Sequence, residues 1–165
     1  MIEARITPCL WFDDDLEDAV AFYTSVFPRS EVVRISRYGD AGPGDPGTAM
    51  GAEFVLDGVA FRALNGGPQF PFTEAVSFSV TCADQQEVDH YWTALSEGGE
   101  ESMCGWLKDR FGLSWQIVPT GLYDLIGDQD PVRAQAAMAA MLGMRRIDLA
   151  VIGAAADQAA RSTGV

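Results

Sequence analysis

The sequence predicts an α+β fold of two modules, each ordered strand, helix, strand, strand, strand, followed by a helical extension. Three observations carry that expectation. Short apolar runs, β-branched or alternating, are separated by stretches with helical spacing. The two halves repeat, since a shift of 69 residues lays Ala19 on Val88, Phe22 on Tyr91, Tyr23 on Trp92, Val26 on Leu95 and Glu31 on Glu100. Composition changes after Pro119, where Ala-rich, helix-favouring sequence takes over. The modules are expected over residues 1–68 and 69–120 and the extension over 121–165, within one structural domain.

The elements follow in order. Ile6–Phe12 is an apolar strand, and Asp13-Asp14-Asp15 offers a helix N-cap with first-turn negative charge that suits the helix dipole. Leu16, Ala19, Val20, Tyr23, Val26 and Phe27 recur at helical spacing until Pro28 stops them. Glu31–Tyr38 is a β-branched strand, and the Gly- and Pro-rich stretch Asp40–Gly47 reads as a mobile loop. Thr48–Leu56 and Val59–Asn65 flank Asp57-Gly58, a strong hairpin signal. Ala75–Cys82 alternates as a strand with one buried face, and Gln85–Leu95 is a helix with the stripe Val88, Tyr91, Trp92 and Leu95. After Gly98-Gly99 comes a final hairpin turning at Asp109–Gly112 and ending in Trp115–Val118. In the extension, Asp130-Pro131 marks a helix start, with Ala134, Met138, Met141 and Leu142 as its apolar stripe. The extension is expected to pack on the sheets or across a dimer interface.

Bulk properties exclude several functions. With 11 basic and 24 acidic residues the chain carries a formal charge of −13, a field that repels phosphate backbones and anionic lipid. Neither nucleic acid nor membrane is therefore an expected partner. No apolar stretch is long enough to cross a bilayer, and Met1-Ile-Glu-Ala-Arg5 offers no signal-peptide core. Three cysteines without framework spacing suit a reducing cytoplasm. Cys82 reads as a small buried hydrophobe, and Cys9 and Cys104 lack a histidine nearby in sequence that would activate a thiolate. The single histidine, His90, falls one residue off its helix's apolar stripe and reads as a surface residue.

The run Cys104-Gly-Trp-Leu-Lys-Asp-Arg-Phe-Gly-Leu-Ser-Trp-Gln-Ile-Val-Pro119 resembles the last hairpin of the vicinal-oxygen-chelate superfamily of glyoxalase, bleomycin-resistance and extradiol dioxygenase relatives. Together with Phe22-Tyr23, Phe27-Pro28, Leu64-Asn-Gly-Gly-Pro68, Glu74-Ala-Val-Ser-Phe78 and Glu87-Val-Asp-His-Tyr-Trp92, it is similar to the PhnB-like branch, catalogued as 3-demethylubiquinone-9 3-methyltransferase. The likeness spans about residues 6 to 120 and is expected to run on into the extension. The resemblance implies mixed sheets that curl around a cleft, in a homodimer. It also places the metal ligands of the metal-dependent relatives at Pro8, Ala75 and Gln116, with a fourth near Phe61 or Ala63. None of these is His, Asp or Glu. A carboxamide is a far weaker ligand for divalent ions than a carboxylate, and proline and alanine side chains offer no lone pair. No metal is expected in the customary place, and no cofactor.

Strand parity counted from those positions points Pro8, Leu10 and Phe12, Phe61, Ala63 and Asn65, Ala75, Ser77 and Ser79, and Ser114, Gln116 and Val118 into the cleft. The opposite parity, with Val76, Phe78, Trp115 and Ile117, packs under the helices. Leu10, Phe12, Phe61, Asn65, Ser77, Ser79, Ser114 and Gln116 are thus the ligand-binding candidates, apolar on one side and uncharged hydrogen-bonding on the other, which suits a small apolar or aromatic molecule. In the competing reading the hydroxyls and amides satisfy one another in a filled core. Phe70 and Phe72 either seal the core or rim the pocket. Asn65-Gly66-Gly67-Pro68 lacks the glycine spacing and following helix of a nucleotide loop and reads as a turn. The expected function is metal-independent small-molecule binding of the glyoxalase and bleomycin-resistance type. The alternative is an enzyme of the superfamily: a lyase or dioxygenase with unusual ligands such as Glu53 or Glu74, or the catalogued methyltransferase, although no strand, Gly-x-Gly turn and helix is present for S-adenosylmethionine.

Overall fold

The computed structural model describes residues 5–163. Met1–Ala4, where the sequence shows no signal-peptide core, lie outside the described residues. The chain divides at Phe72/Thr73 into two compact units.

The first unit contains β1 (Cys9–Phe12), α1 (Leu16–Val26), β2 (Glu31–Arg37), β3 (Ala49–Leu56) and β4 (Val59–Asn65). Its sheet is ordered β1-β4-β3-β2, with β1 parallel to β4 and the other pairs antiparallel. The β3–β4 hairpin turns on Asp57 and Gly58, both at positive φ (45° and 81°). That is the conformation a two-residue turn matched to strand twist requires, and Asp-Gly supplies it at low cost. Leu16, Ala19, Val20 and Tyr23 are fully buried on α1, as their spacing predicts.

One expectation fails at the start of this helix. Asp15 occupies the N-cap position but makes no side-chain cap bond. The orphan N–H of Leu16 instead donates to Asn65 Oδ1 at 3.1 Å, so the cap arrives from the end of β4. Burial raises the Asp15 carboxyl above its usual range, and the charges of Asp14, Asp13 and Asp18 add to the rise.

The second unit contains β5 (Ser77–Cys82), α2 (Gln85–Ser96), β6 (Glu100–Glu101), β7 (Trp106–Lys108), β8 (Ser114–Pro119), α3 (Leu122–Ile126), α4 (Pro131–Leu142) and α5 (Leu149–Thr163). Its sheet repeats the first, in the order β5-β8-β7-β6 with β5 parallel to β8. Val88, Tyr91, Trp92 and Leu95 are buried on α2. This helix is capped locally: Asp84 accepts from the Glu87 N–H at 2.9 Å, and the Glu87 carboxylate accepts from the Ala83 N–H at 2.7 Å. Reciprocal bonds of this kind satisfy two donors at once.

The final hairpin is closed by Asp109, which is 3% exposed. Its Oδ1 accepts from the N–H groups of Phe111 and Leu113, and its Oδ2 from Trp115 Nε1 at 2.8 Å. The Asp-x-Phe-Gly-x-x-Trp segment is therefore a turn tied by one carboxylate, which explains why the aspartate and the tryptophan occur together.

The helical extension docks on its own unit. Cys104 and Gly105 donate to the Met144 and Arg145 carbonyls, both at 2.7 Å. Gln85 Nε2 donates to the Ile147 carbonyl, and Gln85 Oε1 accepts from the Leu149 N–H. Val118, Leu122, Ala137, Ile147, Ile152 and Ala156 form one buried cluster. Asp130 caps α4 by accepting from the Val132 N–H, with Pro131 in the first turn, as expected. The predicted stripe is rotated, however. Met138 and Leu142 are 37% and 57% exposed, whereas Ala137 is fully buried, with Ala140 and Met141 packed against the same cluster. The faces of an Ala-rich helix differ little in polarity, so the surface it docks on, rather than its own pattern, selects which face is buried. No helix among the described residues is long and apolar enough to cross a membrane.

Candidate ligand-binding site

Register separates the two faces of each sheet. In the first unit Leu10 pairs with Ala63 and Phe12 with Asn65. Ala63 pairs with Ala52, and Phe61 with Phe54. These residues share one face, and Leu10, Phe12, Phe61 and Ala63 are between 2% and 7% exposed. Asn65 on the same face caps α1. This is the helix-covered face, which corrects the expectation that Leu10, Phe12, Phe61 and Asn65 look into an open cleft. A strand pair with one covered face places its most apolar set under the helix, and a count started one residue away inverts the assignment. The opposite face carries exposed Cys9 and Arg62, half-buried Trp11, and Glu53, which accepts from Arg34 at 2.8 Å.

The Asn-Gly-Gly-Pro stretch is part of this packing. Asn65 Nδ2 donates to the Asp14 and Ala49 carbonyls, and Tyr38 Oη donates to the Asn65 carbonyl. A Cβ on Gly66 would collide with the Trp11 ring, while Trp11 Nε1 donates to the Gly67 carbonyl at 2.8 Å. The segment is a structural tie. Phe72 meets Phe12 edge-on at 5.3 Å, whereas Phe70 meets Trp11 at 5.0 Å and stays 62% exposed. The Asp40–Gly47 loop folds back on Tyr38, whose N–H donates to Thr48 and whose carbonyl accepts from Gly47.

In the second unit paired residues share a face, although Val118, expected in the cleft with Ser114 and Gln116, is buried against the helical extension. Ser77 pairs with Ser114, and Ser79 with Gln116. Across β8, Gln116 faces Trp106 and Ser114 faces Lys108. Leu107, Trp115 and Ile117 are buried on the helix side at 3% exposure or less. Val76, predicted to lie under the helices, instead precedes β5 and is 65% exposed. The open face thus gathers Ser77, Ser79, Ser114 and Gln116, with Trp106 and Lys108 added. Those last two were missed because parity was not extended to β7; alternation around Leu107 would have found them.

Gln116 Nε2 donates to Ser77 Oγ at 2.9 Å. Ser114 differs. It is 1% exposed, and its Oγ has no hydrogen-bond partner among the described residues. Leaving a buried hydroxyl unbonded costs roughly 1–3 kcal/mol. Ser114 is one of the residues around a cavity of about 170 Å³, with Glu74, Glu100, Glu101, Trp106 and Lys108. Lys108 Nζ lies 2.6 Å from Glu74 Oε1. The hydrogen bond to Glu74 holds the Lys108 ammonium above its usual range, and Lys108 holds the Glu74 carboxyl below its own.

The other candidate groups lie apart from this cavity. Pro8 is half-buried and offers its carbonyl to the Arg62 N–H at 2.8 Å; Ala75 is exposed before β5. Among the described residues, no three of His, Cys, Asp and Glu are grouped so as to hold a metal ion. Glu53 and Glu74 are each engaged by a cation, Arg34 and Lys108. His90 is exposed, with its ring edge-on to Tyr91 at 5.0 Å. Burial, followed by the charges of Glu87 and Asp84, pushes the Cys82 thiol up to about 12, as suits a structural cysteine.

A profile of the 3-demethylubiquinone-9 3-methyltransferase family matches residues 4–118. Among solved structures, a PhnB protein from Bacillus cereus, described as a 3-demethylubiquinone-9 3-methyltransferase, is 38% identical with a TM-score of 0.66, covering 71% of this chain and 100% of its own. A Pseudomonas aeruginosa protein is 24% identical over 71% of this chain and 98% of its own, with a TM-score of 0.61. The fosfomycin resistance protein FosX of Listeria monocytogenes shares the fold at 17% identity and a TM-score of 0.54, over 75% of this chain and 97% of its own. No curated protein matches the chain. The family match ends at residue 118, and 71% of this chain spans the whole Bacillus cereus protein. Two mixed four-stranded sheets of like order, together with these matches, show that the chain belongs to the 3-demethylubiquinone-9 3-methyltransferase family, the PhnB-like branch of the vicinal-oxygen-chelate superfamily.

Proposed function

We propose that the protein binds a small molecule on the open face of the second-unit sheet, without a metal ion at the superfamily's usual ligand positions. The observation that carries this reading is the polar lining of that face, where Ser77 and Gln116 bond to each other, Lys108 adds an ammonium, and buried Ser114 has no hydrogen-bond partner among the described residues. The residues present do not fit the superfamily's metal. Ala75 carries no donor side chain, the Gln116 carboxamide is neutral and turned to Ser77, and among the described residues no three of His, Cys, Asp and Glu are grouped to hold an ion. Nor do they fit S-adenosylmethionine. Of the strand-to-helix turns, Asp13–Asp15 and Ala83–Asp84 contain no glycine, and Thr120-Gly121 leads only into the five-residue α3 without Gly-x-Gly spacing.

Metal analysis of the purified protein tests the first half of the proposal: less than about a tenth of an equivalent of Mn, Fe, Ni or Zn is expected, and stoichiometric metal defeats it. A thermal-shift screen against aromatic metabolites and antibiotics tests the second, with a stabilising ligand expected to lose its effect in Gln116→Ala. Calorimetry with S-adenosylmethionine is expected to show no heat; micromolar binding would favour the methyltransferase reading. We infer further that the protein is a cytoplasmic homodimer, which sedimentation equilibrium and cell fractionation check.

A further inference from the structure

We propose that the cavity beneath Lys108 takes a small neutral aromatic molecule bearing a carbonyl or hydroxyl oxygen, with that oxygen held between Ser114 Oγ and the Lys108 ammonium and the ring along Trp106. The inference rests on the small-molecule reading above and names the ligand class.

Donors define the polar end. Ser114 Oγ is buried and without a partner among the described residues, and it lies across the β7–β8 pair from Lys108. Lys108 has three N–H donors, one of which is directed at Glu74. Two neighbouring side chains thus offer unused hydrogens to a single oxygen. Charge defines what that oxygen belongs to. A full anion would meet Glu74, Glu100 and Glu101 around the same cavity, while an ammonium has no acceptor for the hydrogens of Ser114 and Lys108. A neutral oxygen acceptor avoids the repulsion and uses both donors.

Size and surface define the remainder. At about 170 Å³ the cavity is smaller than the roughly 300–1,000 Å³ of drug-sized sites, so it admits one ring with a polar substituent. Trp106 supplies the aromatic wall. An unbonded buried hydroxyl lowers the stability of the free protein, so its removal should strengthen the fold while weakening the complex. A purely structural serine would not behave in this way.

The test titrates the full chain with benzamide, using benzoate and benzylamine as charged probes of equal size, by ligand-detected nuclear magnetic resonance. Benzamide is expected to bind most tightly. In Ser114→Ala its affinity should fall about fivefold, the worth of one hydrogen bond, with no drop in the melting temperature of the free protein. Lys108→Gln is a second variant, expected to weaken benzamide similarly and to raise the relative affinity of benzylamine. Preference for either charged probe, unchanged benzamide affinity in both variants, or no binding of any probe overturns the proposal. If the probes fail while the metabolite screen yields a ligand sensitive to Gln116→Ala, only the ligand class falls; if both fail, the small-molecule reading falls with it.

Discussion

The two units follow the same course of strand, helix and three strands and pair them in the same order, yet they place their polar side chains differently. In the first unit the open face carries an ion pair, Arg34 on Glu53 beside Arg62, and the polar side chain under the helix, Asn65, is a cap. In the second unit the helix caps itself through Asp84 and Glu87, leaving Ser77, Ser79, Ser114 and Gln116 together on one face with Lys108. Duplicated topology therefore does not imply duplicated chemistry. A helix capped from a distant strand commits that strand's end to structure, whereas one capped locally leaves its sheet available for a ligand.

The largest expected effect is at the final hairpin of the second unit. Asp109→Ala removes one acceptor from three donors, and at roughly 1–3 kcal/mol for each stranded buried donor the loss should exceed about 3 kcal/mol. For a chain of this size that corresponds to a fall of the order of 10 °C in melting temperature, read by calorimetric scanning. A loss below about 1 kcal/mol would mean that packing, not the carboxylate, closes the turn.

Next come the two caps. Asn65→Ala should cost about 2 kcal/mol, because it removes a cap and two carbonyl contacts together, and Asp84→Ala about 1 kcal/mol. Asp15→Ala should be nearly neutral, since Asp15 makes no side-chain cap bond. Urea unfolding of the three variants ranks them, and a cost for Asp15→Ala equal to that for Asn65→Ala would abolish the contrast between the units.

Thiol chemistry sharpens the comparison without altering the fold. Cys82, fully buried with its thiol at about 12, should resist a thiol reagent at about pH 8 until the protein unfolds, whereas exposed Cys9 should react in the native state. Rapid native modification of Cys82, mapped by mass spectrometry, would show that the second unit opens readily.

The smallest effect is a pH dependence at the cavity mouth. Glu74 titrates below its unfolded value of 4.5 because of Lys108. Its contribution is therefore present above about pH 4.5 and fades as pH falls through the depressed folded value. Lys108 titrates above 10.5 because of Glu74, so the same pair is lost as pH rises through that raised value. Glu74→Gln should flatten both limbs of melting temperature against pH, modestly, because the pair is exposed on the Glu74 side. Identical curves for variant and parent would remove the pair from the account.

Much of this was legible locally. Helical spacing identified the buried stripes of α1 and α2, Asp57-Gly58 located a turn with both residues at positive φ, and Asp130-Pro131 located the start of α4. In the second unit alternation grouped Ser77, Ser79, Ser114 and Gln116 by pairing but misplaced Val76 and Val118. It failed in the first because the count was anchored on Pro8, which shares the parity of the buried Leu10 and Phe12, and β-parity carries no information about which face a helix covers.

The sequence by itself determined element type, order and duplication, since these follow from periods of two and 3.6 residues and from turn chemistry among near neighbours. Tertiary structure alone decided that Asn65 caps a helix 49 residues away, that Asp109 joins a turn to a tryptophan ring, and that Ser114 is buried without a described partner beside Lys108. Those outcomes depend on strand register and on which face is covered. Register is fixed by the summed packing of whole strands, which no local window of residues contains.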